Sequence, residues 1–140
     1  MKPIPTLPAS ALYAAWAAYR RPVLSEPSYA IPAKGWLLAA AREHLVDIPP
    51  DTYAPAFDCD DFAFSLKGLC QRLHRDANPE IPGLAVGVLF YSPQSSPPGR
   101  HHAINWSTTK EGELWFLEPK AALEIKLSAQ ELRSATFVYC

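Results

Sequence analysis

FDCDDFAFSLKGLCQRLHR, residues 57–75, is the stretch whose reading decides the fold. Phe62, Leu66, Leu69 and Leu73, with Ala63 and Cys70 beside them, recur every three or four residues, the spacing of one face of an α-helix. The stripe predicts a central, well-buried helix. Asp58 is a suitable N-cap, which places Cys59 in the first turn together with Asp60 and Asp61. One thiol therefore stands among three carboxylates at a helix start.

Outward from this helix the pattern differs on the two sides. Upstream, a short helix from Ser10 through Arg20 is expected from Leu12, Tyr13, Trp16 and Tyr19, and a second from about Gly35 to Leu45 from Trp36, Leu37, Ala40, Ala41 and Leu45. Both stripes read as core packing. Downstream of Pro79 the runs LAVGVLFY (84–91), HHAINW (101–106), ELWFLE (113–118), ALEIKL (122–127) and ATFVY (135–139) are short, apolar or alternating, and separated by turn residues. Helices followed by strands give an α+β class, with the helices packed on a C-terminal antiparallel sheet. The fifteen prolines mark irregular connections, and the loop 92–100 (SPQSSPPGR) reads as an exposed connector.

With 140 residues, the chain is expected to form one unit, a proline-rich helical part over 1–50 and a core over 51–140. Thirteen basic residues balance fourteen acidic ones and no basic run exceeds Arg20-Arg21, so a nucleic-acid partner is not expected. Cys59, Cys70 and Cys140 form no CxxC pair, which argues against a disulfide framework or a structural zinc site. No window approaches the ~20 apolar residues of a membrane span. The proline-broken N-terminus lacks the compact apolar stretch of a signal peptide, so a cytoplasmic location is expected, with later release left open. Oligomeric state is not legible.

The chemistry-bearing residues converge on a hairpin. The loop STTKEGE joins two apolar runs, and a turn centred near Lys110 would set His102 opposite Glu118, Ile104 opposite Phe116 and Trp106 opposite Leu114. Facing Cβ atoms in such a ladder lie ~5 Å apart, close enough for a carboxylate to orient an imidazole. Cys59 as nucleophile, His102 as base and Glu118 as orienting acid would then fill the three roles of thiol catalysis. The opposing reading is a packed cysteine and an ordinary strand histidine. Alternation turns His101 to the other face, and His74 and His44 read as partners of helix C-terminal dipoles. Asn105 reads as a strand asparagine bonded to neighbouring backbone, and of Trp106 and Trp115 one is expected in the core and one along a groove.

DCDDFA followed by HAIN and LEP resembles the papain-like cysteine peptidase domains at the C-terminus of fungal agglutinins of the Marasmius oreades type, and more distantly the transglutaminase-like peptidases. The likeness spans about residues 50–120, with intervals of 43 between Cys59 and His102 and 16 between His102 and Glu118. It implies a papain-like fold with a catalytic core over 51–140, a Cys59-His102-Glu118 triad, hydrolysis of a peptide or isopeptide bond in a peptide or protein substrate, and an acyl-enzyme whose oxyanion is held by the Cys59 amide and one unidentified donor. It also implies calcium dependence, with Asp58, Asp60 and Asp61 as candidate ligands; hard oxygen donors suit that ion. The bland reading of these acids is a cap and dipole-favoured first-turn carboxylates. No lectin domain precedes the motif, so sugar-directed targeting is not expected. The alternatives are a transglutaminase-like acyl transferase and a catalytically inert binding protein on the same fold.

Overall fold

The computed structural model describes residues 4–95 and 100–140. In order, the chain forms β1 (Thr6–Pro8), α1 (Ala9–Ala15), β2 (Ser28–Ala30), α2 (Lys34–Asp47), a 3-10 turn (Pro50–Thr52), α3 (Cys59–Ala77), β3 (Gly87–Tyr91), β4 (His102–Thr108), β5 (Leu114–Glu118), β6 (Leu123–Ile125), α4 (Ala129–Arg133) and β7 (Phe137–Tyr139). The α+β expectation holds. Five strands form an antiparallel sheet in the order β6-β5-β4-β3-β7, and β1 and β2 make a separate small pair. No helix among the described residues is long and apolar enough to cross a membrane.

Helix α3 is the predicted one, with Asp58 at the N-cap and Phe62, Ala63, Leu66, Cys70 and His74 buried. Helix α1 is shorter than expected: Pro8 occupies the N-cap in place of Ser10, and the helix ends at Ala15. The amides of Trp16, Ala17 and Tyr19 close tight turns there. The run 84–91 also divides. Leu84 bridges Ala30 of β2, and only Gly87 onward joins the main sheet. Part of the loop 92–100 lies outside the described residues.

Both faces of the main sheet are covered. On one face α2 and α3 bring Leu37, Ala41, Leu66 and Cys70 against Val86, Trp115 and Leu117. On the other, Leu12 of α1, Trp16 just after it and Leu132 from α4 meet Leu89, Ile104, Trp106 and Phe116. Trp106 and Trp115 thus fall on opposite faces as expected; both are buried, with Trp106 wholly in the core and Trp115 also lining a groove beside Leu114 and Ile125. Double burial also explains why Asn105, Ser107 and Thr108 of β4 are inside. Asn105 Nδ2 donates to the carbonyls of Ala63 (2.9 Å) and Gly87 (3.1 Å), and Ser107 Oγ donates to that of Ala85.

His44 and His74 lie in the last turns of α2 and α3, as expected, and both are buried there. His74 lies 2.7 Å from the Pro82 carbonyl, to which its Nε2–H donates, and His44 Nε2 lies 2.9 Å from Ser65 Oγ, joining α2 to α3. Burial holds the His44 imidazole below its ordinary value of 6.5, partly opposed by Asp47. The unfolded chain therefore binds a proton there before the folded one does, so the stability contributed by neutral His44 is present above about pH 6.5 and lost as pH falls below it. Denaturant titrations between pH 7.5 and 5.5 should show falling stability in the native chain and a shallower fall in His44→Asn.

Gly87 is packed without room for a side chain. A Cβ there would lie against Nε1 and Cε2 of Trp106 and 2.5 Å from the Tyr139 carbonyl oxygen. Neither neighbour can yield, one being a core indole and the other backbone. Gly87→Ala should cost about 2 kcal/mol or more through overpacking, read as a lower denaturation midpoint at unchanged slope. A loss under about 0.5 kcal/mol would show that the indole relocates freely.

Candidate functional site

The first turn of α3 is built around its N-cap. Asp58 is extended (φ −108°, ψ −159°), and its amide donates to Asp61 Oδ2 at 3.1 Å. One oxygen of Asp61 is thus committed to the cap. Asp58, Cys59 and Asp60 each present a donor atom, all within 4.8 Å of one another and all half-buried. The Asp60 carboxyl beside it holds Asp58 above its usual value, since two neighbouring carboxyls ionise less readily than one. Cys59 itself is a free thiol, half-buried against Ala63, Val88, Ala103 and Phe90.

His102 and Glu118 meet across the β4–β5 hairpin, Nε2 to Oε1 at 2.6 Å, each about one-fifth exposed. Their register differs from the expected one. Trp106 pairs with Phe116 and Thr108 with Leu114, two residues away from the predicted pairing. The turn is built on Thr109 and Gly112, whose positive φ of 83° only glycine adopts freely. Its centre therefore lies one residue later than Lys110. Continued along the strands, this pairing leaves Glu118 level with Ile104 and diagonal to His102. A two-residue shift preserves the face of every side chain, and long side chains span the diagonal.

Sequence reasoning missed Tyr91, which lay hidden in an apolar run. It pairs with His102 on β3, with ring centroids 6.0 Å apart. Burial, aided by Glu131 and Glu118, pushes its phenol up to about 12. On its other side, Glu118 Oε2 accepts from the Lys120 amide at 3.3 Å, and the Lys120 ammonium lies 4.3 Å from the Tyr53 ring centroid.

The three expected residues are not all joined. Tyr91, Ile104 and Trp106 mark the face that His102 shares, whereas Cys59 packs with Ala103, one strand position on and therefore on the opposite face. Among the described residues, no hydrogen bond links the Cys59 thiol to His101 or His102. His101 precedes β4 and is exposed. The other cysteines are buried, and burial pushes Cys70 up to about 12 and Cys140 up to about 11. Cys59 is therefore the thiol available to a ligand. Asn105 serves backbone carbonyls, as the strand reading expected.

The agglutinin C-terminal family model matches residues 42–124. No curated protein matches the sequence. Among solved structures, the Polyporus squamosus lectin bound to the human-type influenza-binding epitope Neu5Aca2-6Galb1-4GlcNAc superposes with a TM-score of 0.77 at 20% identity. The superposition covers 96% of this chain and 49% of that one. A structure described as the PSL1a-E64 complex gives a TM-score of 0.73 at 22% identity, covering 96% and 51%. The chain thus spans about half the length of these neighbours, and at such identities the likeness shows the fold. The family and the lectin neighbour correct the expectation of a cysteine peptidase with a catalytic triad: they point to agglutinins and lectins, proteins that bind. A peptide substrate gains no support from them.

Proposed function

We propose that this chain, which belongs to the agglutinin C-terminal family, is a binding module that takes its ligand at the N-terminal end of α3, around Cys59. The observation that carries this reading is the meeting, at one reachable helix end, of a free thiol with the carboxylates of Asp58 and Asp60. His102 and Glu118, locked to each other, form a rigid polar edge at the start of β4.

A divalent cation suits this helix end. Asp58 and Asp60 supply two hard oxygen donors, the uncommitted oxygen of Asp61 is the nearest further one in sequence, and water would complete the shell of a calcium ion. The thiol is a soft donor and a poor calcium ligand, so Cys59 would stay free for the ligand. Bound there, the ion would supply charge neutralisation and a contact for ligand oxygens. Protons compete for the same carboxylates, so affinity should fall as pH is lowered.

Calcium should raise the melting temperature of the native chain, and the combined Asp58→Asn, Asp60→Asn variant should lose that response. Asparagine caps a helix as well as aspartate does, so folding is preserved. At a calcium concentration one hundred times its Kd, the stabilisation would be about 2.7 kcal/mol. E64, the compound in one neighbouring complex, is the ligand probe: calorimetry should detect binding that Cys59→Ala weakens or abolishes. No calcium response and no Cys59-dependent E64 binding would overturn the reading. Binding of Neu5Aca2-6Galb1-4GlcNAc that survives all three substitutions would replace it with a glycan site elsewhere on the chain.

A further inference from the structure

The α3 side of the main sheet carries a row of aromatic rings that begins beside the thiol. Phe90 of β3 pairs with Phe137 of β7, and Val88 with Tyr139, so alternation sets Phe90, Phe137 and Tyr139 on the face that also holds Val88. Phe90 and Cys59 pack against the same cluster of Ala63, Val88 and Ala103. From Phe90 the rings follow one another: Phe137 lies 5.5 Å away between centroids, Tyr139 lies 6.1 Å from Phe137, and Phe64 of α3 lies 6.5 Å from Tyr139. The row ends on the flank of the helix whose first turn holds Cys59.

The exposure and setting of these rings point to what they hold. Phe64 and Phe137 are 40% and 38% exposed, and Phe90 and Tyr139 are half-buried. Phe137 and Tyr139 stack nearly parallel, at 14°, and Phe90 meets Phe137 edge to face at 75°. Lys67, fixed by its bond to the Val86 carbonyl at 2.8 Å, stands 5.5 Å from the Tyr139 ring centroid. Rings held in place this way cost a ligand little ordering entropy. At about 150–250 Å² per ring, and with none more than two-fifths exposed, the four together show at most about 400 Å². A stable protein interface takes about 800 Å² from each partner, so the row has the size for one side group of a ligand and not for a second copy of the chain.

We propose that Phe90, Phe137, Tyr139 and Phe64 form an apolar subsite of the Cys59 site and select ligands that carry an aryl group beside the part that meets the thiol. Given the reading of Cys59 as the thiol a ligand meets, on which this subsite rests, continuity through Phe90 sets any such ligand alongside the rings. An aryl group laid there leaves water together with the ring surface it covers, and gains edge-to-face or offset contacts of the kind the rings already make with one another.

Alkylation of Cys59, in which the sulfur displaces iodide as a C–S bond forms, reads the subsite directly. Iodoacetamide and N-benzyliodoacetamide are the probes, each rate at Cys59 followed by mass mapping and divided by the same reagent's rate with N-acetylcysteine. On this scale N-benzyliodoacetamide should react about tenfold or more faster than iodoacetamide. Phe64→Ser and Phe137→Ser, both at partly exposed positions, should each cut that preference about threefold or more with the melting temperature unchanged. An unchanged iodoacetamide rate in the variants separates a lost contact from a disturbed thiol. Phe64→Ser, on the helix surface, decides alone should Phe137→Ser lower the melting temperature. Neither calcium nor E64 enters the measurement, so the subsite and the Cys59 reading fail separately. Equal scaled rates for the two reagents at a reactive Cys59 overturn the subsite only, and so does a preference that survives the substitutions. If neither reagent modifies Cys59, the reachable thiol and its subsite both fall.

Discussion

The side-chain amide of Asn105 holds helix to sheet. It sits fully buried in β4, and its two N–H groups reach the carbonyl of Ala63 in α3 and that of Gly87 at the start of β3. These two bonds satisfy the amide nitrogen, while Oδ1 is buried without a partner among the described residues, so the nitrogen's bonds are what favour this placement of the helix over the strands. That placement carries the first turn of α3, and Cys59 with it, onto Ala103 and Val88. The absence of a Gly87 side chain completes the arrangement, since the Trp106 indole occupies the space where a Cβ would stand. The thiol's position is therefore set by a polar anchor in the middle of the sheet.

Much of this was legible in the sequence, and for a uniform reason. Where one periodicity had one interpretation, as along α3, the element and its cap followed directly from Phe62, Leu66 and Asp58. The hairpin shows the limit. Its existence followed from Gly112, but its centre depends on the positive φ of that glycine, and a one-residue error in the centre moves every pair by two. Period two protected the faces, so His102 and Glu118 still meet although the predicted facing pairs do not. HHAINW reads as a strand that stops at Trp106, with Ser107 in the following loop, whereas β4 runs on to Thr108. It is buried on both sides because Asn105, as its strand reading expected, and Ser107, which the loop reading did not reach, find backbone acceptors within the core.

The three acids of the opening motif separate in the same way. On the page they are equivalent neighbours of a thiol. Folded, Asp61 is tied to the N-cap amide, while Asp58 and Asp60 face each other at the same end. A cap and a cation site had been competing readings of one cluster. The geometry shows the cap: Asp58 stands at the N-cap and Asp61 accepts from its amide, which leaves Asp60 as the acid outside the capping box.

The order Cys, His, Glu shows how far a motif can carry function. Sequence order is preserved by any fold in which these residues survive, but proton transfer from a thiol to an imidazole needs contact between the two. Contact depends on which face of β4 turns toward α3. Here the face carrying Ala103 and Asn105 does so, and His102 is aligned with Tyr91 and Trp106 on the other. Binding asks less of the same residues: a reachable thiol, a helix N-terminus bearing carboxylates and a rigid polar edge suffice without any proton changing hands. That difference in demand is what separates the proposed binding role from thiol catalysis at this helix end.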